Sequence, residues 1–346
     1  MKILVIRFSS LGDIILMSPL FREIKKLFPE DEIDFLTSTS FAEVLANNPH
    51  ISQIIPLDRK SGSDGFNEII NHCEKKDYGL VFDAHNSLRS RLLLFKTYGA
   101  FYGKKKNITS INKRSLKRNL LLTFRLNLFK KIVSQREAYL GLLENFARPC
   151  DLDDSTELFP SAKDKDCVRR LLEELNPVKK KMVALGPGAS FEGKCWPKEK
   201  FLEIAGQLQE EGYLPVLIGG PDDKEPGWIF EHLVHKPPNL SGRLSFLEVA
   251  ELLSHCELTI SNDTALVHFS EAMKTPAVSI FGPTAAEFGY GPFLKQSRLV
   301  ARELKCRPCS RNGKGGCLTR SNRECLGGLM VKTVWDEAME ALGRNG

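Results

Sequence analysis

Long apolar runs are scarce in this chain of 346 residues. A helix that crosses a bilayer needs roughly 20 consecutive apolar residues, and no segment approaches that length. The N-terminal MKILVIRFSS passes into a Gly-Asp turn without the small-residue cleavage site of a signal peptide. Hydrophobic residues make up 42% and charged residues 27%, a balance typical of globular proteins. We therefore expect a cytoplasmic protein.

The cysteine content does not indicate a disulfide framework. Nine cysteines, an odd number, occur in a chain without an export signal. Disulfides persist mainly in oxidising compartments, so reduced thiols are expected.

Acidic residues are missing from one long stretch, since none lies between Asp83 and Glu137. The stretch contains fourteen basic residues: Arg89, Arg91, Lys96, Lys104, Lys105, Lys106, Lys113, Arg114, Lys117, Arg118, Arg125, Lys130, Lys131 and Arg136. The formal net charge is only +6, so the rest of the chain is acidic overall. Such a block attracts an anionic partner. No nucleic-acid-binding motif accompanies it, so nucleic acid is not the expected anion.

Short β-rich runs alternate with helical patterns along the whole chain, which predicts parallel sheets covered by helices. The alternation begins at Lys2 and restarts near Pro160. We predict an α/β fold of two Rossmann-like doubly wound domains, residues 1–160 and 161–330, with a C-terminal helix in 331–346 that packs back on the N-terminal domain. Ligands in such sheets lie beyond the carboxyl ends of the strands. The predicted binding loops are therefore 9–13, 186–194, 219–223 and 261–264.

The segment Ser261-Asn262-Asp263-Thr264-Ala265 ends a predicted strand and opens a helix. Free backbone N–H groups and the helix dipole make such a junction suitable for a pyrophosphate. The alternative is a simple N-cap by Asp263 or Thr264. His268, one turn further on, could be either a ligand contact or a structural residue.

A second loop runs from Pro187 to Pro197 and contains Gly188, Ala189 and Ser190. Its small residues allow close backbone approach, and Lys194 offers a compact positive charge for a phosphate. The alternative is a surface loop with a solvated lysine. The Trp196-Pro197 pair favours an ordered loop, because tryptophan is costly to expose and proline fixes a helix entry.

Asp13 follows the first predicted strand and falls in the first turn of a helix. It could simply complement the helix dipole. It could also serve as a general base, because a sugar hydroxyl that attacks an anomeric carbon must lose its proton.

The chain resembles the ADP-heptose lipopolysaccharide heptosyltransferases of glycosyltransferase family 9. Four motifs carry the resemblance in the expected order. They are Ser-x-x-Gly-Asp, which runs from Ser9 or Ser10 through Asp13, Asp83-x-His85 followed by Arg89-Ser90, Pro187-Gly188-Ala189 with Lys194-x-Trp196-Pro197, and Ser261-x-Asp263-Thr264 with His268 and Phe281-Gly282-Pro283-Thr284. The chain departs from the family at Ala265, where glycine is usual.

The resemblance implies a GT-B fold, in which two Rossmann-like domains face each other across a cleft. It implies an inverting, metal-independent heptosyltransferase similar to heptosyltransferase II that needs no cofactor and uses ADP-heptose. The implied catalytic residues are Asp13 and Lys194. The implied donor-binding residues are Gly188, Ala189, Ser190, Gly220, Asp222, Asp223, Asp263, Thr264, Ala265 and His268. The acceptor-binding candidates are Ser10, Gly12, Asp83, His85, Arg89, Lys105 and Arg118.

Three alternatives remain open. The chain could transfer another sugar to a glycolipid or protein, act as a GT-B sugar-nucleotide epimerase, or bind an anionic glycolipid without catalysis.

The acceptors implied by the family are anionic glycolipids at the inner face of the cytoplasmic membrane, which predicts peripheral membrane association. Lys104–Lys106 and the stretch 113–131 could pair with their phosphates. Apolar residues of that stretch could contact acyl chains or could instead belong to the core: Leu120, Leu121, Leu122, Phe124, Leu128 and Phe129.

Cys306, Cys309, Cys317 and Cys325 have the spacing C-x2-C-x7-C-x7-C. Four thiolates could form a structural Zn or Fe site, and unliganded thiols are the alternative.

Overall fold

The computed structural model describes residues 1–100, 107–148, 151–317 and 323–344. The chain forms two compact units. Unit 1 consists of Met1–Arg114 and Val133–Phe159, and unit 2 consists of Ser115–Ile132 and Pro160–Gly346. The chain thus enters unit 2 for eighteen residues before unit 1 is complete.

The described residues of unit 1 form five strands and five α-helices. The first elements are β1 (Lys2–Ile6), α1 (Leu11–Leu16), α2 (Ser18–Leu27), β2 (Glu32–Ser38), β3 (Gln53–Leu57) and α3 (Gly62–Lys76). They are followed by β4 (Leu80–Asp83), α4 (Leu88–Tyr98) and β5 (Ile108–Ser110). The helix α5 (Ser115–Phe124) belongs to unit 2, and α6 (Gln135–Leu140) returns to unit 1. A 3-10 segment, Thr39–Leu45, follows β2.

The sheet of unit 1 has the order β3-β2-β1-β4-β5, and each pairing is parallel. The strands β1 and β4 are apolar apart from Lys2 at the start of β1 and Asp83 at the end of β4, which is typical of parallel strands that are covered on both faces. The connections from β1 and β4 leave in opposite directions along the sheet. Their carboxyl ends therefore form the topological switch point, where ligands of such sheets bind.

Unit 2 repeats this architecture. Its elements are α7 (Ala162–Leu175), β6 (Met182–Gly186), α8 (Lys198–Glu210), β7 (Leu214–Leu217), α9 (Glu225–His232), α10 (Phe246–Ser254) and β8 (Cys256–Asn262). They continue with α11 (Ala265–Ala272), β9 (Ala277–Phe281), β10 (Arg298–Ala301), α12 (Glu324–Gly327) and α13 (Val331–Ala341). The parallel sheet has the order β10-β9-β8-β6-β7, so its switch point lies between β6 and β8.

The C-terminal helix α13 packs in unit 2, which corrects the prediction that it returns to the N-terminal domain. Val334, Ala338 and Ala341 are buried in the same apolar cluster as Val278 and Ile280 of β9. The alternation of small and branched residues on this helix face fits it against the sheet of its own unit.

The position of the segment 115–132 also corrects the predicted domain boundary, because this segment was predicted to belong to the N-terminal domain. Leu121 is buried against Ala285 and Phe288 of unit 2, with Leu122 and Phe129 packed beside it. Leu121, Leu122 and Phe129 are therefore packing residues. None of the helices in the described part of the chain is long and apolar enough to span a membrane.

Candidate functional site

The carboxylate of Asp13 lies at the switch point of unit 1. Its Oδ2 is 2.7 Å from Nη2 of Arg7 and accepts hydrogen bonds from the hydroxyl of Ser10 at 2.7 Å and its backbone N–H at 3.2 Å. Its Oδ1 accepts the hydroxyl hydrogen of Tyr139 at 2.8 Å. Ser10 is the N-cap residue of α1 and Asp13 is the third helical residue, so a capping box fixes the carboxylate locally.

Opposing influences act on the pKa of Asp13. Burial acts to raise it, whereas the Arg7 guanidinium and the hydrogen bonds from Ser10 and Tyr139 act to lower it. The lowering influences prevail, and the pKa falls from 3.8 to about 2. The side chain is therefore ionised at neutral pH while almost fully shielded from water.

Arg7 connects Asp13 to the end of β4. Its Nη1 donates to the carbonyl oxygen of Ala84 at 2.7 Å, and its guanidinium lies over the Tyr139 ring at 5.5 Å from the centroid. His85 follows Ala84 in the sequence, and its Nδ1 accepts the backbone N–H of Phe8 at 3.0 Å. Burial and then the Arg7 charge lower the pKa of His85 to about 3. The imidazole is therefore neutral, with its proton on Nε2.

Asp83 shapes the turn after β4. Its side chain is wholly buried, and burial raises its pKa. Its Oδ1 accepts the backbone N–H groups of His85 at 3.0 Å and Asn86 at 2.7 Å, and its Oδ2 accepts the hydroxyl of Ser90 at 2.9 Å. Asp83 thus positions His85, whereas the sequence predicted a contact with the acceptor.

The other predicted acceptor residues are placed differently. Ser10 is exposed, Gly12 is half-buried in α1, and Arg89 is exposed at the start of α4. Arg118 donates from Nη2 to the carbonyl oxygen of Phe288 at 3.0 Å and so anchors α5 within unit 2. Lys105 lies outside the described residues, together with Lys104 and Lys106.

In unit 2, Lys194 lies at the switch point between β6 and β8. Its Nζ is 2.8 Å from Oδ2 of Asp263 and donates to the carbonyl oxygen of Asp263 at 2.9 Å. The same Oδ2 accepts the hydroxyl of Thr284 at 2.7 Å. The ammonium is thereby held at the entry to α11, with Asp263 buried beneath it.

Asn262 joins the two loops of this switch point. Its Nδ2 donates to the carbonyl oxygens of Pro187 at 2.7 Å and Gly188 at 3.3 Å, and its Oδ1 accepts the backbone N–H of Trp196 at 3.0 Å. Asn262 is fully buried. It therefore fixes both ends of the loop that carries Lys194.

The remaining predicted donor residues cluster around Gly188. A Cβ on Gly188 would meet Cγ and Oδ2 of Asp223 at 2.4 Å, so a larger residue there would have to displace the Asp223 side chain. Oδ2 of Asp223 also accepts the backbone N–H of Gly220 at 2.8 Å, and burial raises the pKa of Asp223. Asp222 is exposed beside them, as is Ser190, and Ala189 is half-buried.

Thr264 is the N-cap of α11, and Oγ1 accepts the backbone N–H of Leu266 at 3.4 Å. Ala265 is the first helical residue and is half-buried. His268 is buried, and its ring lies 6.5 Å from that of Tyr290. The N-cap interpretation of the segment 261–265 is confirmed at Thr264, and the pyrophosphate site stays a prediction.

Comparisons with known proteins decide the family. Residues 68–315 match Glycosyltransferase family 9 (heptosyltransferase). The chain belongs to glycosyltransferase family 9. The resemblance predicted from the motifs is thereby confirmed, and this family member is a glycosyltransferase.

Two similar proteins come from Escherichia coli strain K12. The chain is 27% identical over 290 residues to Lipopolysaccharide heptosyltransferase 3, which covers 79% of this chain and 80% of that protein. It is 24% identical over 310 residues to Lipopolysaccharide heptosyltransferase 2, with 83% and 84% covered.

Two solved structures show the same fold. A glycosyl transferase family 9 protein from Veillonella parvula DSM 2008 superposes with a TM-score of 0.83 at 20% identity, covering 99% of this chain and 98% of that one. The E. coli ADP-heptose lps heptosyltransferase II gives a TM-score of 0.74 at 22% identity, with 99% of each chain covered. The predicted GT-B class is confirmed.

The four-cysteine segment of this family 9 chain does not support the predicted Zn or Fe site. Among residues 1–100, 107–148, 151–317 and 323–344, no three His, Cys, Asp or Glu side chains are arranged to hold a metal ion. Burial raises the pKa of the Cys309 and Cys325 thiols, which favours the protonated form that does not ligate metals. The expected Zn or Fe site is therefore not supported.

The segment instead packs against the turn after β9. The backbone N–H of Cys309 donates to the carbonyl oxygen of Pro283 at 2.9 Å. Arg307 donates to the carbonyl oxygens of Gly282 at 2.6 Å and Thr284 at 3.2 Å. These contacts support the threonine that binds Asp263.

Several residues of the site were missed from the sequence. Arg7 directly follows β1 and is the one charged residue between Ile3 and Phe8, which was a detectable signal. Asn262 lay within a recognised motif but was not singled out. Tyr139 is 126 residues from Asp13, and nothing local marks it.

Proposed function

We propose that this family 9 glycosyltransferase transfers heptose from ADP-heptose to a hydroxyl group of the lipopolysaccharide inner core, with inversion, in a role similar to that of heptosyltransferase II. The acceptor is an anionic glycolipid, and the enzyme works on the cytoplasmic side of the inner membrane as a peripheral protein. The names of the similar proteins support the reaction class.

The observation that carries the proposal is the position of Lys194. Its ammonium lies at the entry to α11, beside the backbone N–H groups at Thr264 and Ala265. A helix entry and a fixed cation together suit the diphosphate of a nucleotide sugar. The Asp263 carboxylate is itself anionic, so it holds Lys194 in place and does not bind phosphate directly.

The acceptor chemistry is assigned to Asp13. The acceptor oxygen forms a bond to the anomeric carbon as the bond from that carbon to the diphosphate breaks, and ADP leaves with the electron pair. The hydroxyl proton passes to the Asp13 carboxylate. With a pKa of about 2, Asp13 is a weak base, so the proton moves only when the new bond has made the hydroxyl acidic.

Lys194 acts on the other product. Negative charge grows on the diphosphate as it leaves, and a preorganised cation in a partly buried position stabilises that charge more than water does. No metal ion is required in this scheme. His85 is neutral and carries its proton on Nε2, so it is suited to donate a hydrogen bond to an oxygen atom of the acceptor substrate.

The test is a transfer assay with purified protein, ADP-heptose and a panel of truncated inner-core acceptors. We expect one acceptor to gain the mass of one heptose as an equal amount of ADP forms. Absence of transfer to every acceptor would contradict the proposal. Conversion of ADP-heptose without any acceptor would favour an epimerase, and transfer from a different nucleotide sugar would change the donor.

Lys194→Gln provides the matched variant for the donor half. It removes the charge and shortens the side chain by one atom, so the affinity for ADP should fall by about tenfold or more. An unchanged affinity for ADP would show that Lys194 does not contact the diphosphate.

A further inference from the structure

One face of α4 in unit 1 leaves large apolar side chains uncovered. Leu88 is 86% exposed, Leu92 is 46% exposed and Phe95 is 50% exposed. Residues four and seven positions apart lie on the same face of a helix. The opposite face of α4 is buried and carries Leu93 and Leu94, so the helix packs in unit 1 without help from the exposed stripe of Leu88, Leu92 and Phe95.

Basic residues border this apolar stripe on both sides. On a helix of 3.6 residues per turn, Arg91 lies on one side of Leu88, Leu92 and Phe95, and Arg89 and Lys96 lie on the other. The helix carries no acidic residue, and none occurs anywhere between Asp83 and Glu137. This arrangement is the one that helices lying in a membrane interface display.

A cavity of about 420 Å³ opens beside the stripe, between α3 and α4. Its apolar wall includes Leu57, Phe66 and Leu92, and its basic wall includes Arg59 and Lys96. Among the described residues that line it, Asp58 alone is acidic. The Asp58 carboxylate already accepts the backbone N–H of Lys60 at 2.8 Å. The cavity therefore offers apolar surface and positive charge together.

Arg59 is held rigidly at this cavity. Its Nε donates to the hydroxyl of Ser38 at 2.9 Å, and its Nη2 donates to the carbonyl oxygen of Phe8 at 3.4 Å. Phe8 directly precedes the Ser9–Asp13 loop. The cavity thus lies at the same end of the sheet of unit 1 as Asp13.

We infer that the α4 stripe is a docking surface for an anionic phospholipid bilayer, with Leu88, Leu92 and Phe95 among the acyl chains and the flanking basic residues on lipid phosphates. A contiguous apolar patch of this kind on a soluble domain marks an interaction site. The inference rests on the proposed function, because an acceptor held in a membrane requires the enzyme to reach that membrane.

The charges argue against a second copy of the chain as the occupant. A two-fold interface sets the same patch against itself, so the basic residues Arg89, Arg91 and Lys96 would be brought close to those of the other copy. Like charges brought together in this way are destabilising. Anionic phosphates remove that repulsion, and each basic residue near such a surface adds to the attraction.

The test is cosedimentation of the full chain with vesicles of phosphatidylglycerol and, separately, of phosphatidylcholine. We expect binding to phosphatidylglycerol and little to phosphatidylcholine. The variant Leu88→Ser/Leu92→Ser/Phe95→Ser should bind phosphatidylglycerol at least about tenfold more weakly, because it lacks the three apolar side chains that would lie among the acyl chains. The control Leu116→Ser/Phe124→Ser, an exposed apolar pair on α5, should bind as the unaltered chain does.

Four results would overturn the inference. Three concern vesicles: failure of the unaltered chain to bind phosphatidylglycerol, unchanged binding by the triple variant, or an equal loss of binding in the α5 control. The fourth is a molecular mass in solution, without lipid, that is lower for the triple variant than for the unaltered chain, because the stripe would then join two copies of the chain. If circular dichroism shows that the triple variant is misfolded, Leu88→Ser alone replaces it, since that side chain is the most exposed of the three. Transfer to soluble, deacylated acceptors is measured separately with the unaltered chain, so its failure contradicts the proposed function without affecting the vesicle result.

Discussion

Gly313 lies directly against the side chain of Lys194, so that a Cβ on Gly313 would be 2.5 Å from Lys194 Cγ. Gly313 also has a φ of +83°, a conformation that favours glycine. The cysteine-containing segment therefore covers the stem of the lysine whose ammonium contacts Asp263. In this family 9 chain the segment thus confines the Lys194 side chain.

We expect Gly313→Ala to displace Lys194 and weaken donor binding. The affinity for ADP should fall by about tenfold or more, as when one charge-assisted hydrogen bond is lost. Gly315→Ala is the control, because Gly315 has a φ of +104° but faces open space. Isothermal titration with ADP measures both. Equal losses in the two variants would assign the effect to backbone strain and not to Lys194.

The half-sites within each unit were largely predictable from the sequence. Asp13, Lys194 and Thr264 follow strands that stand out as short apolar runs, and loops after parallel strands gather at one end of a sheet. The local pattern therefore located these residues without any knowledge of their contacts.

Contacts between distant segments were not predictable in the same way. Tyr139 reaches Asp13 across 126 residues, and Gly313 covers Lys194 from a segment whose cysteines suggested a metal. Arg118 seemed suited to an anionic acceptor but binds the Phe288 carbonyl. Charge and spacing indicate what a side chain could do, whereas packing decides which partner it has.

Asp13→Asn should abolish most of the transfer activity. The amide has the same size but cannot accept the proton, so kcat should fall by roughly 10²- to 10⁴-fold. The affinity for ADP should be unchanged, because the residues assigned to the donor belong to unit 2. Initial rates with saturating acceptor and titration with ADP measure the two effects. Turnover close to that of the unaltered enzyme would contradict the assignment of Asp13 as the base.

Arg7→Met should move the acid limb of the pH–rate profile toward neutral pH. In the unaltered chain the Asp13 pKa is about 2, so Asp13 stays ionised and cannot cause a loss of activity above roughly that pH. Without the Arg7 charge, burial dominates and the pKa rises. Activity should then be lost on acidification at a higher pH than before. The measurement is kcat/KM against pH, with thermal unfolding at each pH to separate inactivation from unfolding.

The double variant Arg7→Met/Asp13→Asn is the control for this shift. It has no carboxylate to titrate, so its residual activity should lack the new acid limb. If the limb persists in the double variant, another group is responsible for it.

Asn262→Ala should destabilise unit 2 and loosen the loop that carries Lys194. The change leaves the Pro187 carbonyl and the Trp196 N–H buried without the partner they now have, at a cost of about 1–3 kcal/mol for each group. All three tryptophans lie in unit 2, so urea unfolding followed by tryptophan fluorescence reports on that unit. Asn176→Ala is the matched control, since its two hydrogen bonds to the Lys180 backbone are exposed and water can replace the amide. The free energy of unfolding should therefore fall much further in Asn262→Ala, and similar losses in the two variants would show that Asn262 has no special structural role.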